Sequence, residues 1–410
     1  GGAAWPTPAS MVPWHAGLAT AARSAAVPVV YEYNATSPGR FVAIDADGVL
    51  QEVGYAINPM LSIAGWAGQY WAQQARQGSR PHGVTSSVPI MTKQAFGGVA
   101  MVNLSSLPLS GGARTRLAIE TQLQCPGAWN VECGIWDHMA TLAVQCPGHG
   151  AYTIGGGFEA GGSFAELARY ATPYRLGVGN WVTDITPLAP LLSRSVCKFQ
   201  LDMVGWAEKS WVWTVTLRAA AEPHATSGGL PFQSVPLFSN NEPVVRQTFD
   251  RSYNVGRKLT FEVPSETVKV ELYALISGHG EDSTGCCEFL PTRHTFNING
   301  HEFAVEFMEP SDMYGCARPD MGVEPNGYGA WWFGRNGWCP GQRVRPIVID
   351  VSAALLAPGA RLGENVASYA GKMWNATASA WMDPCAESGY IIMASHLAFY
   401  QQGEAMVGRA

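Results

Sequence analysis

Thr267-Val268-Lys269-Val270-Glu271-Leu272 is the stretch that decides the fold. Val268, Val270 and Leu272 alternate with Lys269 and Glu271, the period of two expected of a half-exposed strand that runs on to residue 276. Downstream, Phe296-Asn297-Ile298 meets Asn299-Gly300, and an apolar-alternating run follows to residue 308. Asn-Gly between two such runs is the strongest local hairpin signal. Further strands are predicted over 258–263, 345–351 and 389–400. Upstream, 116–123, 139–144, 199–203 and 212–217 read the same way, many with Gly, Pro or Ser nearby. Residues 186–192 read as loop or one helical turn. Short strands with frequent turns imply a sandwich or jelly roll.

The chain divides into four parts. Residues 1–83 contain no cysteine and read as a small mixed N-terminal accessory module, expected either to pack structurally or to act as a lid that gates a substrate. It has strand candidates over 28–33 and 40–44, a turn at 45–48 and a helical candidate over 60–77. Residues 84–220 form a first β domain, 221–239 a polar linker, and 240–410 a second β domain.

Composition narrows the function. The 410 residues are 47% hydrophobic and only 14% charged, with a formal net charge of -6. A nucleic-acid partner needs clustered Lys and Arg, so none is expected. No apolar run reaches the ~20 residues of a membrane helix. The chain begins with Gly, as a secreted protein lacking its leader would. Nine cysteines without paired CxxC spacing point to disulfides and an oxidising compartment, secreted or periplasmic. The 15 tryptophans and 14 tyrosines suit sugar rings and apolar cores alike.

Three segments carry the candidate chemistry. Asp137 lies between Trp136 and His138, where exclusion of water would raise its pKa and fit it for proton transfer. Its bland alternative is a solvated turn acid. Glu288 follows Cys286-Cys287, and a disulfide there would pin its loop. Arg293 and His294 are near enough in sequence to orient a carboxylate, although a lone histidine is more often a packing residue. Arg335 stands among Trp331, Trp332 and Trp338 and could hold a carbonyl or a buried acid. His279, between Gly278 and Gly280, reads as a loop residue that either contacts substrate or caps a turn. The sequence contains no HxH, no HExxH, no G-x-S-x-G elbow and no phosphate loop.

Taken together and in order, these segments resemble the bacterial peptide:N-glycanase F family. Cys133-Gly134-Ile135-Trp136-Asp137 resembles its first catalytic segment. Ile276-Ser277-Gly278-His279-Gly280 with Gly285-Cys286-Cys287-Glu288-Phe289 and Thr292-Arg293-His294 resembles its second. Arg335-Asn336-Gly337-Trp338-Cys339-Pro340-Gly341 resembles its most specific signature. The resemblance spans roughly 84–402. It implies an all-β core of two adjacent eight-stranded antiparallel jelly-roll sandwiches, with a small mixed N-terminal domain. It further implies a monomeric amidase that frees N-glycans from glycoproteins or glycopeptides without metal or organic cofactor. Asp137, Glu288 and Arg335 take the catalytic positions. Asp202, Trp206, His279, Arg293, His294 and Trp338 are candidates for substrate binding.

Three positions depart from the family pattern. Val204 stands where the prototype has a second active-site glutamate two residues before a tryptophan (here Trp206), and Asp202 is the nearest substitute. His279 replaces a tryptophan. Leu290 replaces the cysteine after the catalytic glutamate, so Cys286 or Cys287 is expected to pair elsewhere, with distant Cys385. By resemblance Cys125–Cys133 and Cys316–Cys339 are expected pairs; Cys146–Cys197 is expected on its own account. Two rival readings stand beside the amidase: a glycan-binding protein that lost turnover, and a copper monooxygenase of related fold.

Overall fold

The computed structural model describes residues 29–34, 37–44, 50–55, 84–109, 115–124, 136–147, 164–174, 178–192, 195–203, 211–221, 231–239, 247–316, 331–357 and 364–402. Near the N-terminus, β1 (Val29–Asn34), β2 (Ser37–Ile44) and β3 (Leu50–Tyr55) make an antiparallel sheet in that order. The first two answer to the expected strands. Leu50-Gln51-Glu52-Val53 lacks a clean alternation, so the third does not follow from pattern alone. The turn at 45–48 and the helix expected over 60–77 lie outside the described residues.

The first sandwich contains β4 (Val84–Ala95), β5 (Gly98–Asn103), β6 (Thr115–Gln124), β7 (Met139–Gln145), β8 (Ala165–Ala171), β9 (Val178–Asp184), β10 (Val196–Met203) and β11 (Val212–Ala221). One sheet runs β5-β10-β7-β8 and the other β4-β11-β6-β9. Alternate residues such as Ile119, Leu142, Phe199 and Trp213 meet between them. Cys146 and Cys197 are joined, as expected. Residues Thr186–Leu191 make a short 3-10 helix.

The second sandwich adds β12 (Pro231–Ser239), β13 (Gln247–Thr248), β14 (Lys258–Phe261), β15 (Thr267–His279), β16 (Thr292–Ile298), β17 (His301–Phe307), β18 (Ile347–Asp350), β19 (Asn365–Asn375), β20 (Ala380–Met382) and β21 (Tyr390–Gln401). Its sheets run β12-β21-β15-β18 and β14-β19-β16-β17, with β13 and β20 as short additions to β21 and β19. Asn299 and Gly300 both take positive φ, 50° and 85°, as the tight turn between β16 and β17 requires. The expected linker is corrected in part. Residues 231–239 are a strand, and the two prolines at 231 and 236 mask it in sequence because β12 lies at a sheet edge, where proline is tolerated.

β15 joins the two sandwiches. Val270, Leu272, Ala274 and Ile276 enter the second core, while Tyr273 and Leu275 on the opposite face enter the first. The half-exposed pattern of its start thus gives way to burial on both faces. A charged connection lies beside this contact. Fully buried Arg169 on β8 makes a two-pronged bond to Glu166, at 2.8 and 2.6 Å. Its Nη1 donates across the seam to Ser277 Oγ at 2.7 Å and to the Ile392 carbonyl at 3.0 Å. Removing one member of such a buried pair strands the other charge. Arg169→Ala is therefore expected to cost about 3 kcal/mol in urea unfolding; a loss below about 1 kcal/mol would show that water relieves Glu166.

Candidate active site

Asp137 and Tyr174 leave the first sandwich from the same end of neighbouring strands. Beyond the β7–β8 ladder, His138 N–H donates to Thr172 Oγ1 at 2.8 Å and Thr172 N–H to the His138 carbonyl at 2.9 Å. This extends the pairing by one step and carries Asp137 and Tyr174 onto the seam.

Glu288 and Arg335 come from two loops of the second sandwich, and buried Asn336 ties those loops together. Its side chain donates to the Cys287 carbonyl at 2.8 Å and to the Leu290 carbonyl at 3.3 Å, and accepts from Thr292 Oγ1 at 2.7 Å. Its backbone N–H donates to the Glu288 carbonyl, and its own carbonyl accepts from Gly278 N–H. Gly278 has to be glycine here: a Cβ would lie 2.3 Å from the Cys287 carbonyl oxygen. The Arg335 loop is also tied to the first sandwich. Residues 341–344 pair with the free edge of β8, through Ala171 N–H to the Gln342 carbonyl, Gly341 N–H to the Ala171 carbonyl, and Val344 N–H to the Arg169 carbonyl. The expected Cys316–Cys339 disulfide closes this loop from behind.

Cys286 and Cys287 are bonded to each other, which corrects the expected link to Cys385. Cys385 is a free thiol whose sulfur lies 3.6 Å from Met373 Sδ. Nearby, Asp282 accepts the backbone N–H groups of Glu387, Ser388 and Gly389, fastening β21's approach to the Glu288 loop. Burial pulls the Asp282 pKa upward, but these bonds and those from Thr284 outweigh it and hold the carboxyl well below the usual range. The expected Cys125–Cys133 pair lies outside the described residues.

At the centre is the Arg335 guanidinium, 1% exposed. Its Nε donates to Glu288 Oε1 at 2.9 Å, its Nη1 to the Phe333 carbonyl at 3.1 Å, and its Nη2 to the Tyr174 hydroxyl at 2.7 Å. Asp137 Oδ2 lies 3.6 Å from Nη2, an ion-pair distance with no hydrogen bond, and among the described residues that buried oxygen has no hydrogen-bond partner. The guanidinium also faces the Trp338 and Phe289 rings, with centroids at 5.1 and 5.3 Å.

Two carboxylates thus share one cation in a site largely closed to water. Burial pushes the Glu288 pKa up to about 7, with Arg335 opposing and Asp137 adding to the rise. Burial also raises Asp137, against the pull of Arg335 and the Tyr174 hydrogen bond. Both acids are thus held above the ordinary carboxylate range, Glu288 with the direct bond to Arg335 and Asp137 without one, and unequal environments of this kind suit two acids to divide the parts of acid and base.

The other sequence candidates take different places. Trp338 is buried beneath Arg335, and its Nε1 donates to the Gly278 carbonyl at 2.8 Å. His279 is the last residue of β15 rather than a loop residue. It is buried between Trp338 and Tyr390, with ring centroids at 5.1 and 5.5 Å, and pairs with Ser277 Oγ at 2.7 Å. His294 sits in the second core, its ring nitrogens on Thr292 Oγ1 and Tyr369 OH, and burial lowers its pKa to about 3. It reaches the cluster only through Thr292 and Asn336. Arg293 faces outward, 3.4 Å from Glu306 on the neighbouring strand. Asp202 accepts from Gln200 Nε2 at 2.6 Å and makes no bond to the Arg335 cluster. Trp206 lies outside the described residues. Tyr174 and the organising role of Asn336 do not follow from the sequence. Among the described residues no group of three or more His, Cys, Asp or Glu is placed to hold a metal ion. No helix among them is long and apolar enough to cross a membrane.

Fold and site together define a double β-sandwich protein with a carboxylate–guanidinium cluster at the seam. Residues 248–398 match the family described as Peptide-N-glycosidase F, C terminal. The chain is 27% identical over 240 residues to Peptide-N(4)-(N-acetyl-beta-D-glucosaminyl)asparagine amidase F of Elizabethkingia miricola, a match covering 56% of this chain and 60% of that protein. PNGase F of Flavobacterium meningosepticum, described as a glycosylasparaginase, superposes with a TM-score of 0.58 at 18% identity, over 77% of this chain and 96% of its own. PNGF-II superposes with a TM-score of 0.54 at 12% identity, over 92% of this chain and 81% of its own. The chain therefore has the fold of these proteins, and residues 248–398, within its second sandwich, match the family model of their C-terminal domain.

The Glu288 environment makes a stability prediction. Its carboxyl binds its proton more tightly folded than unfolded, so the native state holds more protons between the ordinary 4.5 and about 7. Stability from this group is fully present below the lower value and falls as pH rises through the window. In urea unfolding, Glu288→Gln should gain on the wild type as pH rises from 4.5 to 7; a relative gain by the wild type would contradict the burial argument.

Proposed function

We propose that the protein hydrolyses the glycosylasparagine amide of N-glycoproteins or glycopeptides, leaving aspartate in the peptide and releasing the glycan as a glycosylamine. The observation that carries this reading is the meeting of Asp137, from the first sandwich, with Glu288 and Arg335, from the second. Its support from relatives is the matched C-terminal domain and the shared fold.

Water attacks the carbonyl carbon of the asparagine side chain, and Asp137 takes its proton through the unpartnered Oδ2. Arg335 orients both acids and offsets the charge that develops on the carbonyl oxygen. Glu288, holding a proton for much of the time near neutrality, binds the core sugar and polarises the linkage. Asp137 passes that proton to the departing nitrogen as the C–N bond breaks, and the amine leaves on the sugar; water later hydrolyses the glycosylamine, freeing ammonia. This is amide rather than glycoside hydrolysis, although the two acids could suggest the latter. The protein acts as a secreted or periplasmic monomer, with residues 1–83 as an accessory module beside the site.

Incubation with an N-glycopeptide, followed by mass spectrometry, tests this directly. The expected result is loss of the whole glycan with conversion of asparagine to aspartate, and a rate in Asp137→Asn lower by about a hundredfold or more. Sugar left on asparagine would identify a glycosidase. Binding without release across varied glycans would favour the lectin-like rival. The same assay on Asp202→Asn decides that residue's part, since an unchanged rate and pH profile would remove it from the mechanism.

A further inference from the structure

We propose that Tyr174 is a positioning residue that stands between Arg335 and Asp137 and leaves one Asp137 carboxylate oxygen open to take a proton from water. This inference rests on the amidase reading of the site. Its argument begins with the spacing of the Arg335 donors. Nε is committed to Glu288 and Nη1 to the Phe333 carbonyl, so the guanidinium cannot rotate toward Asp137 without losing both. Nη2 donates to the Tyr174 hydroxyl at 2.7 Å and stays 3.6 Å from Asp137 Oδ2.

The phenol therefore stands between the cation and the acid. It accepts from Arg335 and donates its own proton to the Asp137 carboxylate, and that bond favours the ionised form. Burial first, and then the nearby Asp137 charge, keep Tyr174 a phenol, so its proton remains available for donation. A direct pairing of Arg335 with Asp137 would occupy the oxygen that has to receive the proton of water.

The ring is held in place independently of its hydroxyl. It packs with Trp331 and the Cys316–Cys339 disulfide. The backbone two residues earlier is tied to His138 by the Thr172 bonds. Tyr174→Phe should therefore remove the bridge and little else. Among the described residues, the charged and titratable groups facing Asp137 are Arg335 and Glu288 from the second sandwich, with Tyr174 and His138 from the first, and only the Tyr174 contribution is deleted.

Two readouts test the proposal. Carbon-13 NMR titration of the Asp137 carboxyl, assigned with Asp137→Asn, should show its midpoint raised by about one pH unit in Tyr174→Phe. In glycopeptide hydrolysis the acid limb of kcat should move upward with it, and kcat should fall roughly tenfold while KM changes less than about twofold. An unmoved Asp137 midpoint overturns the proposal. If Tyr174→Phe fails to fold, site-specific 3-fluorotyrosine at this position replaces it. Its more acidic phenol should shift the Asp137 midpoint downward, and no shift would again overturn the proposal. A wild type that does not hydrolyse any glycopeptide defeats the amidase reading, while the NMR titration still decides the role of Tyr174.

Discussion

The buried guanidinium of Arg335 is the constraint on which the site depends. A cation taken out of water costs several kcal/mol unless acceptors surround it. Here the acceptors come from both sandwiches: Glu288 and the Phe333 carbonyl from the second, Tyr174 from the first. Asp137 adds a nearby charge without a hydrogen bond. Satisfying this one group therefore requires the two domains to be docked in one orientation. The supporting bonds follow the same logic. Asn336 locks the two loops of the second sandwich together, and residues 341–344 carry the chain from the Arg335 loop onto the edge of β8. Arg169 anchors the seam behind, and the Ser277–His279–Trp338 contacts continue from it to the floor of the guanidinium site.

The environment treats the two acids unequally although both are raised by burial. Glu288 holds the direct bond to Arg335, while Asp137 is approached through a phenol and keeps one oxygen without a hydrogen bond. Electrostatic stabilisation of this type is effective because the donors are already in place before the reaction begins. The neighbouring vicinal disulfide and the Asp282 bonds to residues 387–389 restrain the loop that carries Glu288. Loop placement of the Glu288 carboxyl is thereby combined with the fixed position usually associated with a strand.

Much of the framework was legible in local sequence, for reasons that can be named. Strand alternation in 267–272 and the Asn299-Gly300 turn report directly on one sheet face and one hairpin. Asp137, Glu288 and Arg335 were visible because cysteines, glycines and aromatics cluster around them in the pattern of a family. Features set by tertiary contact were not legible. His279 reads as a loop residue and His294 leaves orienting and packing roles open in sequence, and both are satisfied by Ser277, Thr292 and Tyr369 once the core closes. β12 was hidden by its prolines, and Tyr174 has no local signal because its partners arrive from elsewhere in the chain. Adjacent cysteines did not reveal that they would bond to one another in preference to Cys385.

The central claim is that Asp137 and Glu288 act as one unit through Arg335 across the domain seam. A double-mutant cycle on kcat/KM for N-glycopeptide hydrolysis, with Asp137→Asn, Glu288→Gln and the pair, measures that coupling most directly. Groups that work as a unit lose far less in combination than the product of their separate losses. The double variant is expected to be no slower than the slower single variant by more than about threefold. A loss equal to the product of the two single losses would show that the acids act independently and would contradict the account.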